Sequence, residues 1–325
     1  MKLLVIGCGS IGERHISNLK SLKAGEIIAF DTDGKRLDEV ASKHGITGCA
    51  SIESGLAQRP DAALVCTPPS SHVGIALMSV KAGCHVFIEK PLSDRLDGIA
   101  ELAKEAEKRR LAILVGYCFR FSGLSIAKQM IEKGEIGRPL YMNAEFAQYL
   151  PDWRPWQDYR KSYTASKSMG GGIILDGSHE IDYVRWVMGE PEEVFCYAGR
   201  MGDLEVETED TADMLLKMEG NRLARIHVDF VRKGYTRRME VVGTEGTMAW
   251  DFSKGKIMVT GADGKSREIK SDADRNEMYV REMKHFISCI RGKEKPLISC
   301  ADAMGTLKVA LAAKASSSSK GPVNP

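Results

Sequence analysis

Short apolar runs alternate with amphipathic stretches over the first 122 residues of this 325-residue chain. Runs of about five apolar residues predict buried parallel strands at 2–6, 26–30, 62–66, 84–88 and 112–116, with a short strand near 47–49. Helical spacing of apolar positions predicts helices at 11–23, 33–44, 70–82 and 94–109. Asp94 is expected to cap the last of these helices. The alternation indicates an α/β, Rossmann-type domain over 1–122, with a doubly wound parallel sheet.

The pattern changes after residue 122. A helix at 123–133, a strand at 139–149 and a helix at 176–188 precede six strands at 193–199, 211–218, 222–231, 236–242, 246–252 and 256–260. Helices at 276–291 and 301–314 end the pattern, and the polar tail 316–325 is expected to fray. Successive strands without intervening helices predict an α+β domain over 123–325, built on a large, mostly antiparallel open sheet. Such a sheet leaves a face that a second subunit can cover.

Composition and charge exclude several classes of protein. The formal net charge of +2 gives no reason to expect a nucleic-acid partner. The chain has no apolar run of roughly 20 residues that could span a membrane. Because it starts directly in a strand, we expect no signal peptide. The eight cysteines form no C-x-x-C pair. They are expected to be buried thiols in a reducing cytoplasm, with no zinc site and no disulfide framework.

A glycine motif follows the first predicted strand. Gly7, Gly9 and Gly12 enclose Cys8, Ser10 and Ile11 in a G-x-G-x-x-G sequence. The three glycines are suited to a tight turn, to close approach of a pyrophosphate, and to packing of the next helix on the strand. Asp31 ends the second strand, where a carboxylate accepts hydrogen bonds from ribose hydroxyls and repels the extra phosphate of NADP. The motif therefore predicts a site for NAD, with NADP less favoured.

Ligands of such sheets bind outside the carboxyl ends of the strands. The residues at those ends are therefore the first candidates for a site. They are Thr67-Pro68-Pro69, Glu89-Lys90-Pro91 and Gly116-Tyr117-Cys118. In the second half, Gly170-Gly171-Gly172 leads to Asp176, His179 and Asp182.

Taken together, these motifs resemble the Gfo/Idh/MocA family of NAD(P)-dependent oxidoreductases. The resemblance also includes Arg120-Phe121 and the Gly243-Thr244-Glu245-Gly246 turn, and it covers nearly the whole chain. It implies a cofactor site formed by Gly7, Gly9, Ser10, Ile11, Gly12, Asp31, Thr67, Pro68, His72, Glu89, Lys90 and Tyr117. For His72, N-capping and packing are equally good explanations. Cys118 stands where many relatives carry an amide, so no polar role is carried over to it.

The resemblance makes Lys90, His179 and Asp176 the expected catalytic residues. A desolvated lysine near a cationic ring has a lowered pKa and can assist proton transfer to or from a hydroxyl. Histidine titrates in the range that a general base needs. Asp176 and His179 are three residues apart, which predicts a shared helix face, whereas relatives more commonly separate the two by four. The alternatives are a surface lysine, and a capping aspartate with a packed histidine.

The segment 149–167 is rich in aromatic residues and arginines. Arg154, Trp156 and Tyr159 are expected to contact substrate together with Lys90, Tyr117, Asp176 and His179, because aromatic faces suit sugar rings and arginines suit anionic groups. The alternative is a loop that packs on the sheet and supports subunit contacts. His15 is expected to be a packed histidine, and Arg120 to pair with a carboxylate between the domains.

The sequence thus predicts an NAD(H)-dependent oxidoreductase acting on a secondary hydroxyl, or the matching ketone, of a sugar, cyclitol or sugar derivative. No metal site is predicted. A homodimer or homotetramer through the second sheet is expected. Two alternatives remain open at this point. One is a non-catalytic NAD-binding regulator, and the other is an enzyme that retains NAD and shuttles hydride between two substrates.

Overall fold

The computed structural model describes residues 1–271 and 274–325. Its contacts divide the chain into two compact units. The first comprises Met1–Cys118 and Met278–Met304, and the second comprises Phe119–Glu277 and Gly305–Pro325. This division differs from the single boundary expected at residue 122, because the segment 278–304 packs with the first unit. There, the Phe286 and Phe87 rings lie 5.7 Å apart, and the Val115 N–H donates to the Ile298 carbonyl at 3.0 Å.

The strands in the described ranges are β1 Lys2–Ile6, β2 Glu26–Phe30, β3 Thr47–Gly48, β4 Ala62–Val65, β5 His85–Glu89, β6 Ile113–Gly116, β7 Pro139–Ala147, β8 Pro191–Gly199, β9 Thr211–Met218, β10 Arg222–Asp229, β11 Thr236–Gly243, β12 Gly246–Asp251, β13 Lys256–Gly261 and β14 Ser266–Lys270. The α-helices there are α1 Ser10–Ser21, α2 Gly34–His44, α3 Ile52–Leu56, α4 His72–Lys81, α5 Ile99–Arg109, α6 Leu124–Glu132, α7 Ile173–Asp176, α8 Ser178–Met188, α9 Glu277–Ile290 and α10 Cys300–Ser319. Most predicted elements are confirmed to within two residues. The short α3 and the edge strand β14 were not predicted.

The first unit is built on a six-stranded sheet in the order β3-β2-β1-β4-β5-β6. All of its neighbouring strands are parallel. The central strands are almost wholly buried, because helices cover both faces of such a sheet. This strand order is that of the Rossmann fold, and it confirms the predicted fold class.

The expected cap of the fifth helix is wrong. Helix α5 begins at Ile99, and Gly98 occupies the N-cap position with a φ of +77°. Asp94 instead bonds the neighbouring guanidinium of Arg95 at 3.0 Å through each of its two oxygens. Leu96 is exposed, so it does not belong to the apolar face of the helix. Leu96 matches the helical spacing of the apolar residues in α5 but lies before the start of that helix.

The second unit is built on an eight-stranded sheet in the order β14-β13-β12-β11-β7-β10-β9-β8. Only the β7–β10 pair is parallel, and the other neighbours are antiparallel. Helix α8 packs on β7 and β10. One face of the sheet is buried, with Trp250 and Val241 at its centre. The opposite face carries exposed apolar residues and charged pairs, as the alternating pattern of β10 predicts.

The polar tail does not fray as expected. Helix α10 continues to Ser319, and Val323 forms an isolated antiparallel bridge with Val194 of β8. Two further bonds tie the helix end to the strand, because the hydroxyls of Ser316 and Ser317 accept from the Cys196 and Ala198 N–H groups. The tail therefore protects the edge of the sheet.

Candidate active site

The glycine motif forms the turn between β1 and α1. Gly7 has a φ of +95°, and a side chain there would meet the Cys66 carbonyl oxygen at 2.6 Å. Gly12 lies directly against Gly7 and has no room for a Cβ atom. Gly9 caps α1, which Ser10 and Ile11 begin. A Cβ at Gly9 would have no described atom within 4 Å, so the backbone there can approach a ligand.

Asp31 is buried at the carboxyl end of β2. Its carboxylate accepts the Cys8 N–H at 2.6 Å and the Asp33 N–H at 2.8 Å. Arg36 contacts the same carboxylate, with Nη1 at 3.3 and 3.4 Å from its two oxygens. The carboxylate is thus fixed beside the glycine turn, and a guanidinium partly neutralises it.

Two further loops follow β4 and β5. Thr67 and Pro68 lead into α4, whose first residue is the buried His72. The His72 ring lies with Nε2 at 2.7 Å from the Thr67 carbonyl and Nδ1 at 2.9 Å from the Pro91 carbonyl. Burial lowers the pKa of His72, while the two carbonyl oxygens and Glu89 oppose that effect.

Lys90 follows β5 directly, and its peptide bond to Pro91 is cis. The Lys90 N–H donates to the Glu89 side chain at 3.1 Å. The other Glu89 oxygen lies 2.7 Å from Nε2 of His15, which is completely buried on α1. His15 is therefore packed, as predicted, but its ring is also hydrogen-bonded to the buried Glu89 carboxylate. Sequence spacing could not show this pairing, because 74 residues separate the two partners.

The end of β6 completes the row of strand ends. A Cβ at Gly116 would lie 2.9 Å from the Phe87 ring and 3.4 Å from the Glu89 carboxyl carbon. Glycine at this position therefore makes room for the buried Glu89. Tyr117 follows and is completely buried. Its assignment to the cofactor and substrate sites stays a prediction.

In the second unit, the triple glycine leads into α7. The N-terminus of α7 is held by Glu209, whose side chain accepts the Ile174 N–H at 3.3 Å. Gly172 has a φ of +108°, and a side chain there would collide with Glu209. Asp176 ends α7 and is buried, and the Tyr163 hydroxyl donates to it at 2.7 Å. Tyr163 belongs to the aromatic segment, so this hydrogen bond connects that segment to a predicted catalytic residue.

The expected single helix carrying Asp176 and His179 is wrong. Gly177 interrupts it, so Asp176 is the last residue of α7 and His179 is the second residue of α8. The spacing of three therefore does not place them on one helix face. His179 is buried, with its ring edge-on to Phe119 at 4.8 Å.

A buried ion pair supports the start of α8. Glu180 follows His179, and Nε of Arg237 on β11 lies 2.8 Å from its carboxylate. The Arg237 guanidinium also stacks on Phe119, with 4.3 Å between the guanidinium carbon and the ring centroid. Burial raises the pKa of Glu180, and Arg237 opposes that effect. This support for His179 could not be predicted, because its parts come from three separate elements.

Arg120 makes the expected ion pair, but within one unit. Its guanidinium bonds both oxygens of Asp182, at 2.9 and 2.7 Å. The two residues both belong to the second unit, whereas the boundary expected at residue 122 assigns Arg120 to the first domain and Asp182 to the second. This pair anchors the start of the second unit to α8.

The aromatic segment forms three short 3-10 helices, at Leu150–Asp152, Tyr159–Lys161 and Tyr163–Ala165. Trp156 is 78% exposed, whereas Arg154 and Tyr159 are half-buried. The Tyr159 hydroxyl accepts the Glu205 N–H at 3.2 Å. Substrate contact by Arg154, Trp156 and Tyr159 stays a prediction.

Other candidate chemistry is limited in the described ranges. Residues 1–271 and 274–325 contain no group of His, Cys, Asp and Glu side chains that could hold a metal ion. No helix in those ranges is long and apolar enough to cross a membrane. All eight cysteines are buried free thiols, as predicted.

The fold and the strand-end residues define a dinucleotide-binding oxidoreductase. Residues 1–117 match the model of the oxidoreductase family with an NAD-binding Rossmann fold, and residues 125–249 match the GFO/IDH/MocA C-terminal domain. The chain therefore belongs to the Gfo/Idh/MocA family, as the motifs indicated.

Relatives match over almost the whole chain. Myo-inositol 2-dehydrogenase of Thermotoga maritima is 31% identical over 97% of this chain and 96% of its own length. Scyllo-inositol 2-dehydrogenase (NAD(+)) of Bacillus subtilis is 27% identical over 96% of this chain and 93% of its own. A crystal structure described as a probable dehydrogenase from Thermotoga maritima has a TM-score of 0.83 at 28% identity, covering 100% of this chain and 98% of that one. The chain is an NAD-dependent oxidoreductase.

The residues present fit NAD. Open space at Gly9 and the N-terminus of α1, which has no described side-chain cap, suit a pyrophosphate. The buried Asp31 carboxylate at the neighbouring strand end suits ribose hydroxyls. The glycine turn and Asp31 would hold the dinucleotide. When bound, NAD would accept two electrons and one hydrogen from the substrate carbon.

Proposed function

We propose that this protein is an NAD-dependent dehydrogenase acting on a secondary hydroxyl, or the matching ketone, of a sugar, cyclitol or sugar derivative. The names of the relatives support this substrate class, since two of them are inositol 2-dehydrogenases. The observation that carries the proposal is Lys90, fixed at the carboxyl end of β5 in the NAD-binding sheet. A regulator that only senses NAD has no need for a proton-transfer lysine there.

We further propose that Lys90 and His179 manage the hydroxyl proton. Oxidation of a secondary alcohol needs a base to take that proton as the carbon is oxidised. His179 supplies an imidazole that can accept the proton, and Lys90 supplies an amine that can relay or donate it. Asp176, held by Tyr163, is proposed to orient the substrate. Tyr117, Arg154, Trp156 and Tyr159 are the proposed further substrate contacts.

A turnover screen tests the proposed function. Purified protein is incubated with NAD and a panel of inositols, sugars and nucleotide sugars, and NADH absorbance is followed. We expect NADH to form with at least one cyclitol or sugar. Binding of NADH without turnover on any member of the panel would favour the regulator. Mass spectrometry of the protein as purified distinguishes the third possibility, because a shuttling enzyme would retain stoichiometric NAD.

We also propose a homodimer or homotetramer through the exposed face of the second sheet. Phe195, Tyr197 and Leu215 lie together there on β8 and β9 and are 44%, 69% and 43% exposed. A cavity of about 690 Å³ adjoins them. Its rim carries charges that are already paired, such as Arg225 with Asp213 at 2.8 Å. A two-fold axis through this face would bury the apolar residues against themselves. The eight thiols support a reducing compartment, and we infer the cytoplasm.

A further inference from the structure

The side chain of His72 bridges two loops of the first unit. One loop follows β4 and contains Thr67, and the other follows β5 and contains Lys90 and Pro91. The imidazole is 1% exposed and lies between the Thr67 carbonyl, at 2.7 Å from Nε2, and the Pro91 carbonyl, at 2.9 Å from Nδ1. Both nitrogens therefore face main-chain acceptors rather than a ligand.

The chemistry of the ring sets the strength of this bridge. A carbonyl oxygen only accepts hydrogen bonds, so each contact requires an N–H group on the ring. The neutral imidazole donates to one carbonyl, and the imidazolium donates to both. In either state, a buried ring replaces the water that these carbonyls would otherwise bind.

The bridge acts on Lys90 from one side, and Glu89 acts on it from the other. The Lys90 N–H donates to Glu89, whose second oxygen is held by His15. The carbonyl of Pro91, one residue further along, is held by His72. The main chain is thus tied immediately before and after the Lys90 side chain. The same ring ties the Thr67–Pro68 loop, which lies at the adjacent strand end.

We propose that His72 is a positioning residue that fixes Lys90 and the Thr67–Pro68 loop relative to each other. The inference rests on the proposed function for its catalytic meaning, because it assigns Lys90 to proton transfer. The sequence assigned His72 to the cofactor site. In the present proposal its ring nitrogens do not contact the cofactor, and His72 acts on cofactor binding through the two loops. Fixing both loops should favour binding of the nicotinamide dinucleotide.

The chain offers a matched control in His85, at the opposite end of β5. His85 is half-buried, and its Nδ1 accepts the Ala112 N–H at 3.0 Å. His85→Ala and His72→Ala both remove an imidazole and at least one main-chain hydrogen bond from the first unit. The His72 ring, on α4, contacts the loop that follows the carboxyl end of β5, whereas His85 is the first residue of that strand. A purely structural role would therefore give the two variants the same pattern of effects.

The test combines NADH binding, amide hydrogen exchange and rescue in the full-length protein. For His72→Ala we expect the NADH dissociation constant to rise roughly tenfold, the scale of one lost hydrogen bond. Exchange should accelerate in peptides covering 67–71 and 89–93, and free imidazole should restore tight binding by filling the vacated space. For His85→Ala we expect lower thermal stability with NADH binding unchanged.

The proposal is overturned if His72→Ala lowers stability as His85→Ala does but leaves NADH binding and exchange around Lys90 as in the wild type. If His72→Ala does not fold, His72→Gln, which keeps an N–H donor, is measured in the same way. Failure of the proposed function is distinguishable from this result. A wild type that turns over no substrate still allows NADH binding and exchange to be compared.

Discussion

At the scale of single residues, we expect Asp31 to set the preference for NAD over NADP. Its carboxylate lies beside the glycine turn, where it repels a ribose phosphate, but Arg36 contacts it at 3.3 Å and weakens that repulsion. Asp31→Ser should therefore narrow the preference for NAD over NADP by about 1–2 kcal/mol, typical of a close charge in partial solvent. Titration of both dinucleotides checks this change.

Asp33→Ser is the control for the Asp31 variant. Asp33 also contacts Arg36, at 3.1 Å, but its carboxylate caps α2 and does not bond the glycine turn. Loss of the Asp33 carboxylate should change the preference for NAD over NADP less than loss of the Asp31 carboxylate does. If the wild type bound NADP more tightly than NAD, the role assigned to Asp31 would be wrong.

Glu282 is a buried acid that sequence reasoning missed. It lies on α9, is completely buried, and neither carboxylate oxygen has a hydrogen-bond partner among the described residues. Burial raises the pKa of Glu282 well above its ordinary value, and Glu89 adds to that effect. The folded protein therefore holds this proton more tightly than the unfolded chain does.

The raised pKa has a definite sign for stability. Above the unfolded pKa the unfolded chain releases this proton, so the free energy of unfolding falls as pH rises. Glu282→Gln removes the ionisation and should stabilise the protein, more at about pH 8 than at about pH 5. Thermal melts of both proteins at several pH values measure the difference. A gain that is equal at all pH values would show that folding does not raise the pKa of Glu282.

At the scale of secondary-structure elements, the spacing of apolar residues predicts the helix or strand that one segment forms. It does not predict contacts between segments that are distant in the sequence. The strands of the first unit are buried and nearly all apolar, so their positions are legible in the sequence. Strand β14 is largely exposed, and it forms only because β13 offers an edge. Helices α7 and α8 are separated at Gly177, where a Cβ atom would lie 2.8 Å from the Ile173 carbonyl and from Val228. The spacing of apolar residues along the chain gives no information about such contacts.

The C-terminal tail illustrates the same limit and gives a prediction. Val323 and Val194 exchange two main-chain hydrogen bonds of 2.9 Å. Ending the chain after Gly321, which keeps the bond from the Ser316 hydroxyl to the Gly321 carbonyl, should cost about 1–3 kcal/mol of unfolding free energy, the scale of two such bonds. Ending it after Val323 keeps both bonds and is the control. Equal melting temperatures for the two truncated proteins would show that the bridge contributes nothing.

At the scale of the whole molecule, we propose that subunits assemble through the exposed face of the second sheet. Leu215→Glu places a charge at the centre of the apolar group formed with Phe195 and Tyr197. We expect a dimer or tetramer in the wild type and a monomer in this variant, because a two-fold contact would bring the introduced charge against its copy. Light scattering at micromolar concentration measures the mass.

The control for assembly is Met78→Glu, on α4 of the first unit. Met78 is exposed to a similar degree, 39% against 43% for Leu215, but it belongs to the first unit and not to the second sheet. This variant should keep the mass of the wild type. A monomeric wild type, or an unchanged mass for Leu215→Glu, would remove the sheet face from the interface.

The family and the strand-end residues could be predicted from the sequence, because each motif is local and follows its strand directly. The supports of those residues could not, since His15 with Glu89 and Arg237 with Glu180 join distant elements. The proposed catalytic roles themselves rest on chemistry that only kinetics can test.

Lys90 and His179 are proposed to serve one proton transfer, and the turnover numbers of four proteins test this role. With the best substrate from the screen, kcat is measured for the wild type, Lys90→Ala, His179→Ala and the double variant. We predict that each single variant loses roughly 100-fold or more in kcat and binds NAD nearly as the wild type does. The loss of kcat in the double variant should be much smaller than the two single losses multiplied together. Near-normal turnover in both single variants would contradict the account and favour a regulator.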